Sequence, residues 1–171
     1  MNHSITQKCK KIKLILTDVD GVLTDGGRCY TSKGEHSKKF HTRDGMGVNI
    51  LLRNGIKTVI VTKENSPITQ KWAKDMNVSF VYRGIQNKEK QLPSICKKFK
   101  VTPEQVAYIG DDVNDANLLS LVGISATPKD GIHSLKKNVD FVCKNYGGSG
   151  AFREFIELIL KKKFGKNIKW Y

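Results

Sequence analysis

Leu14-Ile15-Leu16-Thr17-Asp18-Val19-Asp20-Gly21-Val22-Leu23 changes character in its middle. The first half is an apolar run ending in threonine, which reads as a strand. The second half is two carboxylates separated by one valine, then a glycine. Gly21 permits the chain to curl just past the strand, so that Asp18 and Asp20 can face one pocket. Two carboxylates sharing a pocket repel each other, and a divalent cation relieves that repulsion.

Outward from this stretch, strand-like runs alternate with helical patterns. The runs are residues 12–17, 58–62, 80–82, 106–109, 123–126 and 141–143. Between them, residues 45–54 end at Gly55, a plausible helix cap. Ser66-Pro67 supplies an N-cap and a first-turn proline for a helix to about Met76. Thr102-Pro103-Glu104-Gln105 has capping-box spacing, and Phe152, Phe155, Ile156, Ile159 and Leu160 recur at helical intervals. The alternation argues for an α/β chain, a three-layer fold around a mostly parallel sheet. One segment departs from the rhythm: residues 28–31 and 38–41 flank Ser32-Lys33-Gly34-Glu35 and predict a β-hairpin inserted after the first strand. That hairpin would overhang the carboxyl ends of the strands, where open α/β sheets bind ligands.

Val106-Ala107-Tyr108-Ile109-Gly110-Asp111-Asp112-Val113-Asn114-Asp115 repeats the opening theme. An apolar strand again runs into glycine and clustered acids. Such a cluster is costly unless a hard cation or a hydrogen-bond network holds it. Thr62 ends another strand and Lys88 opens a helix. Together these four elements predict a site for a metal and a phosphate.

Bulk properties bound the rest. The chain has 171 residues, 39% hydrophobic and 27% charged, which suits one compact domain over 1–171 with basic tails at 1–10 and 161–171. The apolar run at Leu14 is too short for a membrane span or a secretion signal, so a cytoplasmic protein is expected. Cys9, Cys29, Cys96 and Cys143 lack metal-ligand spacing and read as free thiols. A net charge of +14 is spread along the chain without interleaved aromatics, so neither nucleic acid nor membrane is expected as a partner.

The chain resembles the haloacid dehalogenase superfamily phosphatases, in particular the small branch without a cap domain that holds the KDO 8-phosphate and the KDN (N-acylneuraminate) 9-phosphate phosphatases. The resemblance runs from about Lys11 to Leu160. It rests on the Asp18-Val19-Asp20-Gly21-Val22-Leu23-Thr24-Asp25-Gly26 run, the Arg43-Asp44-Gly45-Met46-Gly47 turn, Gly84 to Lys88, Gly110 to Asp115, and the Tyr146-Gly147-Gly148-Ser149-Gly150-Ala151-Phe152-Arg153-Glu154 run. It implies Asp18 as nucleophile and Mg2+ ligand, and Asp20 as general acid and base with its carbonyl on the metal. Asp111 would complete the ligands, supported by Asp112 and Asp115, while Thr62 and Lys88 would hold the phosphoryl oxygens. Arg43, Asp44, Gly45, Glu64 and Arg153 would meet the substrate. The resemblance further implies a homotetramer in which hairpins and the Gly147–Gly150 segment close a neighbour's pocket.

Within that branch the residues after Thr62 discriminate. Glu64 matches the nine-carbon class, Lys63 matches neither class, and Trp72 and Asp75 stand where relatives carry cations. Ile68, Trp72 and Met76 fall at helical spacing, so Trp72 is expected to pack. The expected substrate is a phosphorylated acidic sugar of the sialic-acid type, with KDO 8-phosphate or another sugar phosphate as the alternative. A non-catalytic oligomerising domain is the rival from another class.

Overall fold

The computed structural model describes residues 4–171. Eight strands and seven α-helices follow one another as α1 (Ile5–Lys11), β1 (Leu14–Thr17), β2 (Cys29–Thr31), β3 (Gly34–Ser37), α2 (Thr42–Arg53), β4 (Lys57–Val61), α3 (Pro67–Asp75), β5 (Phe80–Tyr82), α4 (Leu92–Phe99), β6 (Val106–Ile109), α5 (Ala116–Leu121), β7 (Ile124–Thr127), α6 (His133–Lys136), β8 (Phe141–Val142) and α7 (Ala151–Phe164). Six strands form one sheet in the order β5-β4-β1-β6-β7-β8. Every pairing in it is parallel. The α/β sandwich expected from the alternation is therefore present, with β2 and β3 as a separate antiparallel hairpin.

The period of two along each strand splits the core into two layers. Leu14 and Leu16 of β1 and Tyr108 of β6 pack with Leu92, Ile95 and Leu118 on one face. Ile15 and Ala107 turn the other way and join Val48, Leu51, Phe152, Phe155 and Ile159 of α2 and α7. Both faces of the sheet are thus covered, as an all-parallel sheet requires. After β1 the chain adds β4 and β5 on one side, then crosses back to add β6, β7 and β8 on the other. The reversal lies at β1, and the crevice at a strand-order reversal is where such sheets bind ligands.

Several expected boundaries shift. The first strand begins at Leu14 because Ile12 closes α1, its N–H bonding to the Cys9 carbonyl. Residues 1–10 were expected as a basic tail, yet from Ile5 on α1 forms and buries Cys9 against the core. Helix α7 likewise runs past 161 to Phe164, and Ile168 and Trp170 pack onto the core beyond it. The helix expected at 45–54 starts at Thr42, capped by the His41 ring, which accepts from the Arg43 N–H. Arg43, Asp44 and Gly45 therefore lie on a helical turn. The hairpin is tighter than expected: its second strand is Gly34–Ser37, and residues 38–41 run on as irregular chain. Gly34, assigned to the turn by its residue type, is already paired with Thr31.

Candidate active site

The carboxyl ends of β1, β4 and β6 open into a cleft of ≈ 320 Å³ lined by Asp18, Asp20, Thr62, Glu64, Asp111 and Arg28, among others. Asp18 extends β1 by one residue, its N–H bonding to the Ile109 carbonyl at 3.0 Å. Past it the chain turns, with Leu23 and Thr24 both donating to the Val19 carbonyl and Gly21 at φ +82°. Strictly extended residues at i and i+2 would share a face; the turn instead separates the partners of Asp18 from those of Asp20. A Cβ on Gly21 would stand 2.0 Å from the Asp111 carboxylate, so this glycine is what lets the two acidic loops meet.

Asp18 is only 6% exposed. Its Oδ1 accepts the Val19 N–H at 2.7 Å and its Oδ2 lies 2.7 Å from Lys88 Nζ. Lys88 is fully buried, and Asp115 Oδ1 at 2.6 Å is its second carboxylate. Asp115 is saturated: Tyr108 also donates to Oδ1 at 2.5 Å, and the Asp111 and Asp112 N–H groups bond to Oδ2 at 2.9 and 3.2 Å. It works as a brace that fixes the lysine and the Asp111 loop at once. Burial acts to lower the Lys88 pKa, but Asp18 and Asp115 outweigh it and hold the ammonium above its ordinary value.

One lysine stands beside three acids and pairs with two of them, and the shortfall of positive charge is visible in the carboxylates. Burial first, then Asp115, pushes Asp18 up to about 7 against the pull of Lys88. Burial, Asp18 and Asp115 push Asp111 up to about 8. One oxygen from each of Asp18, Asp111 and Asp115 lies within 4.8 Å of the others. Among the described residues no salt bridge reaches Asp111. Hard oxygen donors, close together and short of a cation, fit Mg2+. Asp18 and Asp111 are the pair free to hold it, because Asp115 is already bound by four donors.

The other predicted residues divide. Thr62 is buried at the end of β4 and lines the cleft. Glu64 lines it too, 2.8 Å from Arg28, whose hydrogen bond lowers the Glu64 pKa. Asp112 caps the turn after β6 through the Val113 N–H. Arg43 and Arg153 line a different cleft of ≈ 390 Å³ with Ser149 and Gly150. Asp44 lines neither cleft. It is fully buried and accepts the Arg153 N–H at 2.8 Å. Gly45 is a packing position, since a Cβ there would meet Met76 Sδ at 2.5 Å. The glycines before α7 were expected to reach a neighbouring subunit. Within the chain they press on the turn after β1: a Cβ on Gly147 would lie 2.0 Å from the Gly21 carbonyl, and Gly148 N–H bonds to the Val22 carbonyl. Trp72 packs as expected, stacked on Phe40 at 4.6 Å.

Arg28, Lys38 and Tyr108 carried no predicted role, yet Arg28 and Lys38 touch Asp20 and Tyr108 touches the Asp115 brace. Tyr108 was legible only as a strand residue, because a phenol among apolar neighbours reads as core. Arg28 and Lys38 sat in the expected hairpin, and no local pattern says which of its many charges turns inward.

Residues 61–155 match the family model described as haloacid dehalogenase-like hydrolase. The chain is 39% identical over 155 residues to the 3-deoxy-D-manno-octulosonate 8-phosphate phosphatase of Haemophilus influenzae, covering 91% of this chain and 86% of that protein. A cobalt-bound structure of the Haemophilus influenzae phosphatase superposes with a TM-score of 0.91 over 94% of both chains. The Moraxella catarrhalis enzyme, solved with magnesium, phosphate and KDO, is 36% identical with a TM-score of 0.90, covering 93% of this chain and 91% of that one.

Proposed function

The chain belongs to the haloacid dehalogenase-like hydrolases and is a phosphomonoester hydrolase, and from that premise we propose that its substrate is KDO 8-phosphate, an eight-carbon acidic sugar phosphate. The sialic-acid-type substrate expected from Glu64 has no counterpart among these relatives, whereas the alternative substrate has several. Glu64 is also engaged by Arg28, which weakens its use as a marker of the nine-carbon class.

The observation that carries the chemistry is Asp18, buried among neighbours yet lining the cleft and touching Lys88. In the proposed reaction the Asp18 carboxylate attacks phosphorus and the bond from phosphorus to the sugar oxygen breaks. Lys88 and Thr62 bind the phosphoryl oxygens. Asp20 gives the departing sugar oxygen a proton. Water then attacks the phosphorus of the aspartyl-phosphate and returns its proton to Asp20, which frees Asp18 and inorganic phosphate. Mg2+, held by Asp18, Asp111 and the Asp20 carbonyl, supplies positive charge that offsets repulsion between nucleophile and phosphate.

Closure of the cleft by a neighbouring copy in a homotetramer belongs to the same reading. Support comes from β2, exposed along its whole length. Arg43 and Arg153, which line a separate cleft and not that of Asp18, would serve substrate across such an interface. The test is kcat/KM on a panel with Mg2+: KDO 8-phosphate, KDN 9-phosphate, N-acetylneuraminate 9-phosphate and simple hexose phosphates. KDO 8-phosphate should lead; a nine-carbon phosphate turned over faster would overturn the assignment.

A further inference from the structure

The second carboxylate of the cleft is gripped by a residue that the reaction above leaves without work. Lys38 follows β3, and its side chain is 0% exposed. Its ammonium lies 2.5 and 2.7 Å from the two oxygens of Asp20. Glu35 stands 3.3 Å away on the other side and accepts a hydrogen bond from Ser66, the N-cap of α3. Arg28, just before β2 at the same open end of the hairpin, reaches Asp20 at 3.5 Å and Glu64 at 2.8 Å.

Lysine ordinarily lays its stem on apolar surface and keeps its ammonium in water. Burying it here is expensive unless the partners are well placed. One ammonium on both oxygens also fixes the plane of the Asp20 carboxylate, which otherwise sits on a partly open turn with only the longer contacts from Thr24 at 3.4 Å and Arg28 at 3.5 Å. A proton donor has to stand within hydrogen-bonding reach of the departing oxygen.

We propose that Lys38 is a positioning residue for Asp20: the hairpin delivers a buried ammonium that holds the second carboxylate in the cleft, aimed at the leaving-group oxygen. Glu35 and Ser66 fix the lysine in turn, so the hairpin is part of the catalytic scaffold of its own chain. The inference rests on the reading in which Asp20 protonates the departing oxygen.

The test compares kcat/KM on two esters, a sugar phosphate with a poor alkoxide leaving group and 4-nitrophenyl phosphate, whose leaving group needs no proton. Lys38→Met should lower the first by roughly 10²-fold, the size of a lost general-acid contribution, and the second by less than about threefold. Lys38→Arg, which keeps a two-pronged cation, should recover part of the loss, and Lys38→Gln serves where the methionine variant does not fold. In an Asp20→Asn background, Lys38→Met should cost nothing further. Equal losses on both esters, or additive losses in the double variant, would mark Lys38 as merely structural and overturn the proposal. A wild-type chain inactive on both esters would instead overturn the reading of the site itself, and the inference with it.

Discussion

Asp18 and Asp44 are both buried, both raised above the ordinary carboxylate range by burial, and both embedded in motifs that the family resemblance marks as functional. Their company differs. Asp18 faces the cleft, touches the Lys88 ammonium and crowds against Asp111 and Asp115. Asp44 is sealed between α2 and the start of α7, where it accepts the Arg153 backbone N–H, and among the described residues its Oδ2 has no hydrogen-bond partner. One is arranged to meet a ligand; the other ties the first turn of a helix to its neighbour. Burial and a perturbed carboxyl group are therefore insufficient to name a catalytic residue. Access to a cavity and a nearby cation make the difference.

The sharpest way to break this contrast is to neutralise each acid in turn. Asp18→Asn should lower kcat at least ~10³-fold with the far-ultraviolet circular dichroism unchanged, because an amide neither attacks phosphorus nor holds a metal well. Asp44→Asn should leave kcat within a few-fold of wild type. Comparable activity losses in the two variants would erase the distinction.

Metal withdrawal separates the same regions. Exhaustive chelation should remove turnover, Mg2+ should restore it, and Ca2+ should not, since its longer bonds and higher coordination number suit chelation by Asp18 over attack. The contacts of Asp44 should be indifferent to all three treatments, which amide exchange at Arg153 can read.

Lys88→Met probes why Asp18 tolerates its surroundings. Removing the ammonium leaves Asp18 and Asp115 facing each other in the interior. The fold should lose about 3–5 kcal/mol, the usual cost of an orphaned buried charge. Urea denaturation with and without Mg2+ measures it, and the metal should return part of the loss.

The smallest effect belongs to Asp44 and pH. Burial pushes its carboxyl up to about 6, so the folded chain binds that proton more tightly than the unfolded one. Stability from this group is therefore greatest at low pH and declines as pH rises through the window from about 4 to about 6, by on the order of 2–3 kcal/mol. The difference between the wild-type and Asp44→Asn unfolding curves should show that slope. A flat difference would mean that the carboxyl group is better solvated than its burial indicates.

Much of the site was legible because its parts are local. Asp18 and Asp111 each follow an apolar run directly, and Thr62 and Lys88 stand at similar joints, so strand ends could be read with their cargo attached. What the local patterns left out lies in long-range contacts. The Arg43-Asp44-Gly45 stretch was expected as a substrate-binding turn, and within the chain residues far along it, Arg153 and Met76, pack against Asp44 and Gly45. The Gly147-Gly148 pair was expected against another subunit, and its closest neighbours are Gly21 and Thr24–Asp25 of the same chain. The basic segment of residues 4–11 lacks a strong helical pattern of its own, and packing against α7 gives it an ordered place.

Periodicity and punctuation, which act over a few residues, were enough to reach an α/β sheet, its strand ends and the acids placed there. Strand order, with β1 between β4 and β6, brought Asp18 and Asp111 together across a glycine too small to keep them apart. The sharing of Lys88 between Asp18 and Asp115, and the grip of Lys38 on Asp20, join positions 70, 27 and 18 residues apart in the sequence. No local pattern encodes such pairings. They follow from where a parallel sheet and its crossovers set each strand end, and from the cost of leaving a buried charge without a partner.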